Sequence, residues 1–141
     1  MKNIHSYWAY IALFLLIFAV FNAILAFKNK KTFTDKDLRV GLFTLIVYHI
    51  QLLIGLGWYF MSPWYKAFKA NGGEVMKDSE SRLLALEHPL MMLIAVVLIT
   101  IGWSRHKKKT EDSAKFKTFI IFYGLALVLI LIKIPWSNWF N

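Results

Sequence analysis

The chain contains no cysteine. That excludes disulfides, thiolate metal sites, iron–sulfur clusters and a covalently attached c-type haem. Any metal or haem must then be held by His, Met or carboxylate. Acidic residues are scarce as well: eight Asp and Glu stand against seventeen Lys and Arg, for a formal net charge of +9. Seven of the eight lie outside the long apolar stretches, and Glu87 lies only near the outer end of one. A small proton-coupled antiporter needs a membrane-embedded carboxylate, so a transporter reading rests on His49 alone. Internal repeats and low-complexity tracts are absent. Lys2 followed by an apolar run has the outline of a secretory signal, but the run is too long and no small-residue cleavage site follows. It reads as a retained first helix.

What is present is apolar: 58% of the 141 residues are hydrophobic and 17% aromatic. They come in four blocks, at about residues 4–27, 40–61, 83–103 and 116–136. Each is about the length a helix needs to cross the hydrocarbon of a bilayer. Inside lipid every backbone polar group must be satisfied within its own segment, so each block is predicted to be a helix. A soluble core could not absorb four such blocks in so short a chain. The expected fold is an all-α membrane protein of one domain, a four-helix transmembrane bundle in up-down-up-down order.

Charge placement predicts orientation. The first connection carries Lys28, Lys30, Lys31, Lys36 and Arg39. The third carries Arg105, Lys107, Lys108, Lys109, Lys115 and Lys117. Short basic loops stay cytoplasmic, which puts the middle loop and both termini outside. So placed, the positive charge signals topology and lipid contact, and nucleic acid is not an expected partner. Tyr7, Trp8, Tyr10, Trp58, Tyr59, Trp64, Trp136 and Trp139 then form an outer aromatic belt. The middle loop contains Pro63 and Gly72-Gly73, which break helices, and has room for a short surface helix around residues 64–70. Gly41, Gly55 and Gly57 permit close helix approach on the second helix.

Ionisable residues in or beside membrane helices are candidates for function. Here they are His5, His49, Glu87, His88 and Lys133. His106 falls in a basic loop and is expected to be solvated. His88 is placed about one and a half turns inside the outer end of the third helix, and His5 starts the first helix on the same side. Two imidazoles at one level on separate helices are what bis-histidine haem ligation requires, with Trp8 and Met92 as apolar walls. His49 lies roughly 18 Å deep, near mid-membrane. It could be an alternative iron ligand, a proton relay, a partner of Gln51 or Tyr48, or a core histidine. Lys133 and Arg82 could neutralise haem propionates; Lys133 could equally snorkel to the interface. Glu87 could pair with Arg82 or Lys133, or orient a histidine. No residue is assigned a catalytic role.

The segments His5-Ser6-Tyr7-Trp8, His49-Ile50-Gln51-Leu52-Leu53-Ile54-Gly55, Glu87-His88-Pro89-Leu90-Met91-Met92 and Lys133-Ile134-Pro135-Trp136 resemble small bacterial four-helix membrane proteins labelled cytochrome b. A weaker likeness is to one half of haem A synthase. By that likeness His5 and His88 are the axial pair, and Gln51 and Gly55 match the intervening helix. The chain lacks a second half and the acidic residue soon after the first histidine. The resemblance implies a non-covalent haem b and a multi-pass location in a bacterial inner membrane. Its expected role is electron transfer between the quinone pool, or a larger respiratory or membrane complex, and an outer acceptor. The other expectation is a non-enzymatic accessory subunit whose histidines are structural.

Overall fold

A computed structural model describes the backbone over residues 2–82 and 86–133, and side chains over 7–63, 65–67, 69–79, 82 and 86–133. The described chain is helical, without strands. It runs α1 (Lys2–Lys28), α2 (Asp35–Phe60), α3 (Pro63–Ala70), α4 (Gly72–Lys77), α5 (Ser79–Arg82), α6 (His88–His106) and α7 (Asp112–Lys133). Four of these, α1, α2, α6 and α7, are long and apolar enough to cross a membrane. Phe14, Leu53 and Ile132 are each at least two-thirds exposed on these helices. Such outward apolar surface suits lipid rather than water.

The long helices form a closed bundle in which α1 meets α2 and α7, and α6 meets α2 and α7. Cross-links show that neighbours run antiparallel. Trp8 Nε1 donates to the Val47 carbonyl (3.0 Å), and at the opposite end Asn22 Nδ2 donates to Asp37 Oδ1 (2.8 Å). Lys133 Nζ donates to Glu87 Oε2 (3.0 Å) across α6 and α7. Thus α1 begins and α7 ends at one end of the bundle, here the termini end. The two basic connections share the other, the basic end.

The core follows heptad-like steps of three and four residues. The buried positions are Ala12, Leu16, Ala19, Ala23 and Ala26 on α1, and Gly41, Thr44, Tyr48 and Gln51 on α2. On α6 they include Met92, Ala95, Ile99, Gly102 and His106, and on α7 Phe116, Phe119, Tyr123, Ala126 and Ile130. This period keeps one narrow seam on each helix facing its neighbours. Small residues dominate α1, which allows close backbone approach where lipid gives no hydrophobic drive for association. At Gly41 a Cβ would lie 2.7 Å from the Phe119 ring, so glycine is what admits that ring.

Several boundaries differ from the apolar blocks. α2 starts at Asp35 because Thr34 caps it: Asp37 Oδ2 accepts from the Thr34 N–H at 2.9 Å. The charged first turn therefore belongs to the helix although it is too polar for the hydrocarbon. The surface helix expected at 64–70 is α3, begun by Ser62 and Pro63 and ended at Asn71. The break falls at Asn71, and Gly72-Gly73 open α4 instead of interrupting it. The α-helical run of α6 begins at His88 with Pro89 in its first turn, directly after a π turn at Leu86 and Glu87. Residues 83–85, the end of the fourth block to 136, and the belt side chains of Trp64, Trp136 and Trp139 lie outside the described residues.

Candidate functional site at the termini end of the bundle

An ion network anchors this end. Glu87, just ahead of α6, receives Lys133 from the last turn of α7 at 3.0 Å and Arg82 from α5 at 3.5 Å. Arg82 also donates to the Met76 carbonyl at 3.1 Å. The Lys133 hydrogen bond, helped by the charges of Lys133 and Arg82, holds the Glu87 carboxyl below its ordinary value against a smaller desolvation effect. Both cations considered for haem propionates are thus already shared by one carboxylate. Glu87 joins the middle loop to the ends of α6 and α7.

His88 follows immediately. Its ring is half-buried and its Nδ1 is shielded from solvent. One turn further, Met91 and Met92 are buried, 3% and 8% exposed. Gln51 on α2 is 3% exposed, with Oε1 shielded. Trp8 spends its indole N–H on the Val47 carbonyl, so it fastens α1 to α2 as well as filling space. The Trp8–Val47 bond sets the register of α1. His5 lies three residues nearer the terminus, about 4.5 Å higher along the helix. The backbone of α1 therefore carries His5 to the same end of the bundle as His88. The His5 side chain lies outside the described residues, and so does any pairing of the two imidazoles.

His49 belongs elsewhere. It is exposed on the outer surface of α2, with Nδ1 2.8 Å from the Leu45 carbonyl and Nε2 3.5 Å from Thr100 Oγ1 of α6. Thr100 is twelve residues along α6 from His88, about 18 Å. The structure does not bring His49 and His88 together. The partners considered for His49, Gln51 and Tyr48, are both turned into the core, and its observed partners are Leu45 and Thr100.

No protein family, curated protein or solved structure matches the chain.

The residue that sequence reasoning misplaced is His106. It is 1% exposed, not solvated. It ends α6, bonds the Trp103 carbonyl through Nδ1, and packs against Trp103, Phe119 and Phe33 at centroid distances of 4.6, 4.5 and 5.6 Å. The reason is tertiary: Phe33, from the first basic connection, folds over the end of the bundle and covers it. Thr100 was missed as a partner of His49. Its signal was a hydroxyl in an otherwise apolar run, which in a membrane helix commonly bonds its own backbone, as it does here to Val96 (2.7 Å).

Proposed function

We propose that this protein is a b-type haem-binding electron-transfer component of a bacterial inner membrane, in which His5 and His88, near the outer surface, would hold the haem iron. The observation that carries the reading is His88: a half-buried imidazole with its Nδ1 shielded, at the end of the bundle to which α1 brings His5. An imidazole in that position can be a ligand without a cysteine anywhere in the chain. Bound haem would supply reversible one-electron transfer. The chain's own residues have distinct tasks. Met91 and Met92 give an apolar, polarisable floor beneath His88. Glu87 holds Arg82 and Lys133 at the rim, within reach of acidic groups arriving from the aqueous side. The basic connections face the cytoplasm under the positive-inside rule, which puts this rim outside. Electrons would pass between a quinone pool or a larger membrane complex and an outer acceptor.

The test is a pyridine haemochrome assay on the purified protein. Haem b absorbance that disappears in His88→Ala and His5→Ala, and persists in His49→Ala, is the expected result. A cofactor-free protein, or absorbance indifferent to His88, would end the proposal. A second reading, an accessory subunit with structural histidines, is favoured by the Glu87 network, in which one carboxylate already engages both rim cations. It predicts stable co-purification with larger partners and no haem.

A further inference from the structure

The two ends of the bundle treat charge differently. At the basic end, residues 28–39 and 105–117 hold eleven Lys and Arg against four Asp and Glu. Among the described residues no ion pair joins these groups, and the salt bridges lie at the termini end. The acids are committed elsewhere. Asp37 accepts from the Thr34 N–H and hydroxyl and from Asn22 Nδ2. Asp35 and Asp112 stand in the first turns of α2 and α7, where negative charge suits a helix N-terminus. Three of the cations lie over rings instead. Lys115 is 5.1 Å from the Phe33 ring, Lys107 5.7 Å from that of Trp103, and Arg105 5.5 Å from that of Phe122.

Position says more than number. On α2 the outward apolar residues Phe43, Ile46, Ile50 and Leu53 are spaced by three and four, and the same spacing continues to Arg39. On α7 the outward Ile121, Leu125 and Val128 continue in the same way to Lys117. On α6, Arg105 lies eleven residues beyond the exposed Ile94. That is three turns along and only about 20° around the helix. All three cations are exposed. Each of these lipid-facing stripes therefore ends in a cation at the basic end, while the other ends carry Phe60, Ile132 and Leu90. Close contacts set the level. Gly41 meets Phe119, and Gly102 meets Phe122. Counting along the helices from those contacts puts Arg39, Arg105 and Lys117 within about 5 Å of one another in depth. From Arg39 to Phe60 is about 32 Å along α2, close to the hydrocarbon thickness of a bilayer. The three cations thus stand at the hydrocarbon edge, where phosphodiester groups begin.

We propose that Arg39, Arg105 and Lys117 form a binding surface for anionic phospholipid headgroups in the leaflet beside the basic end. Such a lipid fits in three respects. Its charge complements cations that no carboxylate of the protein engages. Its phosphate lies at their depth. Its acyl chains lie along the apolar stripe that each cation ends. The Phe122 ring holds the Arg105 guanidinium, whose fork suits phosphate oxygens. A zwitterionic headgroup matches the depth and the chains but brings a cation of its own. A soluble polyanion would approach from water and meet the exposed loop lysines Lys31, Lys108 and Lys109 first. The surface does not depend on haem.

The test places the full-length protein in phosphatidylcholine bilayers with a trace of spin-labelled phosphatidylglycerol or, separately, spin-labelled phosphatidylcholine. Electron spin resonance separates lipid slowed at the protein surface from free lipid and gives their relative association constants. The wild type should favour phosphatidylglycerol by up to about fivefold, the factor one surface cation supplies. The triple variant Arg39→Gln, Arg105→Gln, Lys117→Gln should lose most of that preference. A control that removes equal charge from the loops, Lys31→Gln, Lys108→Gln, Lys109→Gln, should keep it. Should the stripe variant fail to fold, Arg105→Gln alone should still lower the preference, and an unchanged value there overturns the proposal. Equal association of the two lipids with wild type also overturns it. Equal loss in the stripe and loop variants does so in favour of diffuse charge. Displacement of the slowed lipid by millimolar glycerol 3-phosphate does so in favour of a soluble phosphate ligand.

Discussion

Tyr123 of α7 donates its hydroxyl to the carbonyl of Gly41 on α2 at 2.8 Å, joining positions 82 residues apart across the centre of the bundle. Tyr123 is fully buried, a setting in which a charged ring has no place, and the neutral O–H is the form the contact needs. The bond explains a tyrosine inside an apolar seam: its ring fills the core and its hydroxyl finds an acceptor. Tyr123→Phe should cost about 1 kcal/mol of unfolding free energy. Gly41→Ala should cost more, about 1–3 kcal/mol, because the new Cβ would meet a Phe119 ring already held between His106 and Tyr123. Gly124→Ala, where a Cβ would meet nothing within 4 Å, is the control and should be neutral. Denaturant or thermal unfolding in detergent measures all three.

Glu87 makes stability depend on pH in a defined direction. Its carboxyl is held below the ordinary 4.5 chiefly by the Lys133 hydrogen bond. A carboxyl with a lowered folded pKa contributes stability that is complete above its unfolded pKa and is lost as pH falls through the folded one. Wild type should therefore melt above Glu87→Gln at neutral pH. The gap should persist down to about 4.5 and close below it. A gap that stays constant to the lowest pH, or widens on acidification, would remove Glu87 as the hub of that network. Melting curves of the two proteins across the acid range settle the point.

His106 should behave as a structural residue. Replacing it by alanine opens a hollow among Trp103, Phe119 and Phe33 and takes a donor from the Trp103 carbonyl. The expected cost is about 2–4 kcal/mol. Haem content, if haem is bound, should be unaffected, since His106 lies at the opposite end of α6 from His88. Unfolding and haemochrome assays on one preparation of His106→Ala separate packing from ligation.

The four spans were legible because length and apolarity alone decide whether a segment can satisfy its backbone in lipid. The place of His49 near the middle of α2 and the pairing of Glu87 with Arg82 and Lys133 could be read from position along the helices. Which side of a helix faces inward could not. In water the inward face is the apolar one, but in lipid both faces are apolar and hydrophobic periodicity disappears. The seam is marked instead by size and polarity, in Ala12, Ala19, Ala23 and Ala26 and in Thr44, Tyr48 and Gln51. His49 follows Tyr48 by one residue, about 100° around the helix, and so turns outward while Tyr48 is buried. His106 shows the other limit: a basic loop reads as solvated, yet Phe33, seventy-three positions earlier, closes over it. Local sequence determined which segments enter the membrane. Contacts between distant segments decided which side chains they hide and which they present.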